Sequence, residues 1–203
     1  MIKPSSIPRQ GLFLTCLSIL SACAPPAAIQ PEQPTTTINQ AQRNPQHISR
    51  WNLSGGVAAK NKKKTWSASI NWQQQSQNDY EIRLFGPLGG GTVLIEKHGA
   101  HITYHDGPRT VTSQNPDKLF LQETGIDLPV STLFYWIRGL PAPGKYTSTT
   151  NHTGQLESLT QAGYVLHYTE YTSVNQMTLP TKIKLEGHGG MIKLIIKHWE
   201  IQG

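Results

Sequence analysis

His98, His101, His105 and Asp106 are the nearest this chain comes to a metal-ligating cluster. On an extended strand His101 and His105 share a face while His98 falls in the preceding turn, and no second group at ligand spacing accompanies them. They read as surface histidines, and no metal is expected. Asp79, Glu81, Glu123 and Asp127 are scattered, without the apolar setting that raises a carboxyl pKa for acid catalysis. The chain has no Gly-x-Ser-x-Gly elbow, no Gly-x-x-x-x-Gly-Lys-Ser/Thr phosphate loop and no His-Glu-x-x-His pair. These absences argue against an enzyme and imply no cofactor. Of the two cysteines, Cys16 lies within an apolar run and Cys23 closes the sequence Leu20-Ser21-Ala22-Cys23. No cysteine pair is therefore left for an internal disulfide once that run is removed.

Lys3 and Arg9 supply a positive start, Gly11 to Leu20 an apolar stretch, and Ser21 and Ala22 the small residues a peptidase needs. The stretch of about ten residues is too short for a stable membrane span, which takes about twenty. Residues 1–22 read as a signal peptide. An ordinary secretory signal cleaved at Ala22 or Ala24 would leave Cys23 unpaired in an oxidising compartment. The pattern resembles the lipobox of bacterial lipoproteins, which implies that Cys23 is lipidated and becomes the new N-terminus. Acyl chains contribute about 0.8 kcal/mol per buried methylene, so three on one residue anchor a protein durably. With Ala and not Asp at position 24, the resemblance implies sorting to the outer membrane, facing the periplasm.

Residues 23–48 are rich in Pro, Gln, Thr and Asn and poor in large apolar side chains, the composition of a flexible tether. Such a linker reaches about 25 to 30 Å. Residues 49–203 are a comfortable size for one domain, and they are mainly β. Trp66, Ala68, Ile70 and Trp72 alternate along one strand face, and Tyr80, Ile82 and Leu84 repeat the pattern. Val93 with Ile95, Ile102 with Tyr104, Val165 with His167, Ile183 with Leu185, and Ile192 with Leu194 continue it; Leu156 with Leu159 fits less cleanly. Turn signals such as Asp106-Gly107-Pro108 and Gly187-His188-Gly189-Gly190 separate these runs. Short strands at this spacing predict a strongly curved antiparallel sheet or barrel. Two helices interrupt them. Asn115-Pro116-Asp117 starts the first and Gly125 ends it; the second runs from about Ser131 to Arg138 and is apolar enough that it must cover something.

The net charge of +6 falls to +4 without residues 1–22, a mild excess, and much of it is the cluster Lys60, Lys62, Lys63, Lys64. That cluster reads as a solvated hairpin tip, with a contact to acidic lipid or an acidic partner as the alternative. No nucleic-acid recognition motif is present.

Asn71-Trp72-Gln73-Gln74, Asp79-Tyr80, Gly86-Pro87-Leu88-Gly89, Trp136-Ile137-Arg138-Gly139-Leu140-Pro141, and Ile192-Lys193-Leu194 with Trp199 line up, in order and spacing, with the LolB family. The chain resembles these outer-membrane lipoprotein receptors from about Trp51 onward. The resemblance implies an open, incomplete antiparallel barrel of about eleven strands, with a helical lid over an apolar cavity. It also implies that the protein accepts acylated lipoproteins from the LolA-type periplasmic carrier and places them in the outer membrane. Alternation assigns Trp66, Ile70, Trp72, Ile82, Leu84, Val93 and Ile95 to the inner face, and the apolar second helix adds Trp136, Ile137 and Leu140. Pattern alone fits a solid core as well as a cavity; the resemblance implies the cavity.

Leu88 stands between glycines and Pro87 at a loop tip. The resemblance implies that Pro87, Leu88 and Gly89 form the loop that hands cargo to the membrane, although Gly86 replaces the family's usual Asn and an extra glycine follows. With no nucleotide motif, transfer must run downhill on affinity. A receptor working by diffusion needs no partner copy, so a monomer is expected. A non-enzymatic scaffold lipoprotein, docking protein with the same sheet and lacking a lipid cavity, is the alternative.

Overall fold

Residues 44–62, 64–87 and 90–202 are described by a computed structural model. Cys23, the signal peptide of residues 1–22, most of the tether, Lys63, Leu88 and Gly89 lie outside the described residues. What the alternating segments build is one eleven-stranded antiparallel sheet that does not close into a barrel. Its strands are β1 (Arg50–Lys60), β2 (Thr65–Ser76), β3 (Asp79–Phe85), β4 (Thr92–His98), β5 (His101–Asp106) and β6 (Arg109–Ser113), then β7 (Thr147–Thr150), β8 (Leu156–Gln161), β9 (Tyr164–Val174), β10 (Met177–Gly187) and β11 (Gly190–Gln202).

The spatial order is β6-β5-β4-β3-β2-β1-β11-β10-β9-β8-β7. Two meanders thus meet at the long β1–β11 pair, and β6 and β7 form opposite edges. The chain crosses between those edges through the two helices, α1 (Pro116–Thr124) and α2 (Val130–Trp136). This crossing lays them over the inner face, where Leu119, Phe120, Val130, Phe134 and Trp136 are buried.

α1 lies where its cap residues put it. The Asn115 side chain accepts from the Lys118 amide at 2.9 Å, Pro116 opens the first turn, and Gly125 adopts a left-handed φ of 72°. α2 ends two residues before the predicted Arg138. Its last turn tightens, with the Arg138 amide bonding Tyr135 O and the Gly139 amide bonding Trp136 O, both at 3.0 Å.

At the centre, the β1–β11 register shifts between Ser54 and Gly55. A Cβ at Gly55 would fall on the Ile195 carbonyl, so only glycine permits this approach. Trp51 packs edge-on against Trp72 and Trp199, at 5.0 and 5.5 Å between ring centres, sealing one end of the core.

One predicted strand face is reversed. In β9 the inward residues are Tyr164, Leu166 and Tyr168, not Val165 and His167. The tyrosines can point inward because their hydroxyls find carbonyls there: Tyr168 donates to Trp136 O at 3.0 Å and Tyr164 to Asp127 O.

Candidate functional site

Between the sheet and the helices lies a cavity of about 70 Å³ with an entirely apolar lining. β2 contributes Trp66, Ile70 and Trp72, β3 contributes Ile82 and Leu84, and β4 contributes Ile95. Val57 and Ala59 of β1, with Leu185, Ile192 and Leu194 from β10 and β11, complete the sheet side. The lid side is Phe120 of α1, Ile126 and Leu128 of the connection, and Val130 and Leu133 of α2. Alternation with period two places the sheet residues here.

Four of the residues assigned to the inner surface lie elsewhere. Val93 faces an adjoining mouth of about 430 Å³, which shares Trp66 and Leu84 with the cavity. Trp136 and Ile137 are fully buried in solid core on the other half of the sheet. The reason is polar: the Trp136 indole N–H must have a partner, and it donates to Gln161 Oε1 at 2.8 Å, with the Tyr164 ring 5.8 Å away. Leu140 lines a separate pocket of about 390 Å³ beside Arg138. The lid over the cavity is therefore α1 and the start of α2. Sequence reasoning misses Val57 and Ala59 of β1, Leu185, Ile192 and Leu194 of β10 and β11, and the lid residues Phe120, Ile126, Leu128, Val130 and Leu133; on the lid the signal is the apolar run at Leu119-Phe120-Leu121 and the alternation Ile126-Asp127-Leu128.

The far end of α2 is pinned. Gln161 accepts from Trp136 and from the Ala142 amide at 2.9 Å, and donates to Ala142 O at 2.7 Å. Arg138 donates from Nε to Phe134 O at 2.8 Å and from Nη1 to the carbonyls of Pro45 (3.0 Å) and Ile48, with its guanidinium 4.0 Å over the Phe134 ring. Burial pushes that guanidinium down to about 10, which leaves it charged at neutral pH.

The α1–α2 connection is held more lightly. Asn61 Nδ2 donates to Gly125 O at 2.8 Å, Tyr164 to Asp127 O, and His188 pairs with Asp127 at 3.1 Å on the surface. α1 itself is tied at its edge by Arg109 to Glu123 at 3.0 Å, and to the start of α2 by Ser131 to Asp117 at 3.1 Å.

A dry apolar cavity of about 150 Å³ holds a single benzene ring. At about 70 Å³ the cavity therefore admits a hydrocarbon chain only if the lid moves.

The remaining candidates take ordinary places. His98 pairs with Asp79 at 3.0 Å and His105 with Glu96 at 3.2 Å, and among the described residues no three His, Cys, Asp or Glu converge on one point. Lys60, Lys62 and Lys64 are exposed around the β1–β2 turn, which is closed by the Asn61 amide to Lys64 O at 2.9 Å. The Gly86–Gly91 loop is closed at its base by Gly86 N–H to Gly91 O at 3.0 Å and Gly90 N–H to Pro87 O at 3.1 Å. Among the described residues no helix is long and apolar enough to cross a membrane.

Comparison with known proteins agrees with this geometry. The solved structure of a LolA superfamily protein from Nitrosomonas europaea superposes with a TM-score of 0.50 at 8% identity, over 77% of this chain and 88% of that one, a likeness of fold alone. The outer-membrane lipoprotein LolB of Coxiella burnetii (strain RSA 493) is 35% identical over 176 residues, 84% of this chain and 83% of its own. Those of Nitrosococcus oceani and Pseudomonas paraeruginosa are 33% and 34% identical over 199 residues, covering 95% of this chain and 98% and 97% of theirs. The model of the family described as outer membrane lipoprotein LolB matches residues 49–199. This chain belongs to the outer membrane lipoprotein LolB family.

Proposed function

We propose that this protein accepts acylated lipoproteins from a LolA-type periplasmic carrier, shelters their acyl chains between sheet and helices, and delivers them to the outer membrane. Cys23, carrying its own acyl chains, holds it there. The observation that carries this reading is the wholly apolar cavity beneath a lid that is bonded lightly on one side. Each methylene exposed to water costs about 0.8 kcal/mol, so a triacylated cargo travels only inside a protein or a bilayer. The lid residues that line the site are themselves apolar. An entering chain exchanges one hydrocarbon contact for another, and the net cost of opening is the strain and the few polar bonds that tie α1 and the connection to the sheet.

No catalytic step is needed. The protein is a non-enzymatic receptor that works as a monomer with one cavity, and differences in affinity drive the cargo from carrier to receptor to bilayer. Pro87, Leu88 and Gly89 make the membrane-transfer loop. Its base rims the mouth beside the cavity, which supports a role in passing chains outward.

The test is transfer. Vesicles bearing the full chain are mixed with carrier loaded with a radiolabelled lipoprotein. Label is expected to appear in the vesicles only when the chain is present; label that stays on the carrier removes the proposal.

A further inference from the structure

Two pockets share lining residues with the cavity, so each is a candidate opening to it, and they differ. The mouth of about 430 Å³ shares Trp66 and Leu84 with it; the other opening, about 160 Å³, shares Ile126, Leu185 and Ile192 and lies beneath the α1–α2 connection. At the smaller one the connection is bonded across the gap by Asn61, Tyr164 and His188, so a chain leaving there must break those contacts. On the mouth side the only polar tie from α1 to the sheet among the described residues is Glu123 to Arg109. The pocket at Arg138 and Leu140 shares no residue with the cavity.

The lining of the mouth is also mixed in character. Trp66 and Leu84, both half-buried, line the mouth and the cavity alike, whereas Lys64, Thr65, Asp106 and Glu123 line the mouth alone. The Glu123 side chain is only 7% exposed and faces this space from α1. The arrangement suits an amphiphile with an apolar tail and a polar head that both donates and accepts hydrogen bonds.

Resting on the function proposed above, we infer that this mouth is the port and head-group seat for the cargo. The S-glyceryl diester and amide of an N-acylated cysteine lie against Thr65, Ala68 and Glu123, and the acyl chains pass between Trp66 and Leu84 into the cavity. Ester carbonyls accept from Lys64 and Thr65, and the amide N–H donates to a carboxylate of the rim. Because the Gly86–Gly91 loop borders the same mouth, entry to the cavity and exit toward the loop share one door.

Maleimide protection in the full chain tests this, read on the peptide that carries the introduced cysteine. The probe is a synthetic peptide whose N-terminal cysteine bears N-palmitoyl and S-dipalmitoylglyceryl groups. Bound probe is expected to slow alkylation of Ala68→Cys at least tenfold and to leave Leu121→Cys, at the rival opening, unchanged. Thr65→Cys, an exposed position on the same mouth, repeats the measurement if Ala68→Cys does not fold. Protection at Leu121→Cys alone, at every position, or at none while the probe remains bound overturns the port. If the unsubstituted chain fails to bind the probe at all, the receptor function falls and takes the port with it, an outcome distinct from a misplaced port.

Discussion

The helices meet the two halves of the sheet in different ways. Over β8 and β9, α2 is fixed by a buried polar network in which Gln161 serves Trp136 and Ala142, while Tyr168 serves the Trp136 carbonyl. Over β2 to β4 the space between sheet and lid is a cavity with a wholly apolar lining. Hydrogen bonds are directional and costly to leave unmade inside a protein, whereas apolar contacts can be exchanged for others of the same kind. One half is therefore a fixed hinge and the other a surface that can part. The rigidity of the first is what lets the second open without unfolding the domain.

The contrast is broken most severely at Gln161. Gln161→Ala leaves an indole N–H and both polar groups of Ala142 buried without partners, and is expected to cost about 4 kcal/mol of stability in urea unfolding. A loss below about 1 kcal/mol would mean that the hinge is not fixed by this network. On the parting half, Phe120→Ala removes a larger side chain but from beside an existing void. The loss there is expected to be about 2 kcal/mol, below the usual range for a buried Phe, and to be accompanied by tighter lipopeptide binding. A weaker binding constant in that variant would place the cargo elsewhere.

Leu88→Glu tests the proposed transfer loop. Stability is expected to change by no more than about 0.5 kcal/mol, and uptake from the carrier to be unchanged, while release into vesicles slows. Equal release rates would remove the loop from the pathway. The smallest effect is expected at His188→Asn, which deletes a surface pair worth at most about 1 kcal/mol and keeps a residue that tolerates the positive φ of 50°. Stability is then nearly constant, but amide exchange at Ile126 and Leu128 is expected to quicken. Unchanged exchange would show that Asp127 does not restrain the lid.

The parts legible in the sequence are those whose determinants are local. Asn115, Pro116 and Gly125 fix α1 by their own caps, and strict alternation in Trp66–Trp72 and Tyr80–Leu84 shows which side chains share the inner face. The edge strands are harder to read: all four residues of β7, Thr147–Thr150, are exposed, so there is no alternation to find. The placement of Trp136, Ile137 and Leu140 fails for a different reason. A short helix that is apolar all round offers no stripe to say which side meets a cavity. The choice is made by Gln161, 25 residues away, through one hydrogen bond to the indole. In β9 likewise, the inward tyrosines are fixed by remote carbonyls that no local pattern reveals.

Tryptophan fluorescence offers the most direct trial of the idea that acyl chains enter the parting half. Trp66 and Trp72 line the cavity, whereas Trp136 belongs to the hinge. A lipopeptide with brominated palmitoyl chains, bound to the full protein, is expected to quench emission that disappears in the Trp66→Phe, Trp72→Phe double variant and persists in Trp136→Phe. Quenching that instead requires Trp136, or no quenching by a bound lipopeptide, would contradict the account.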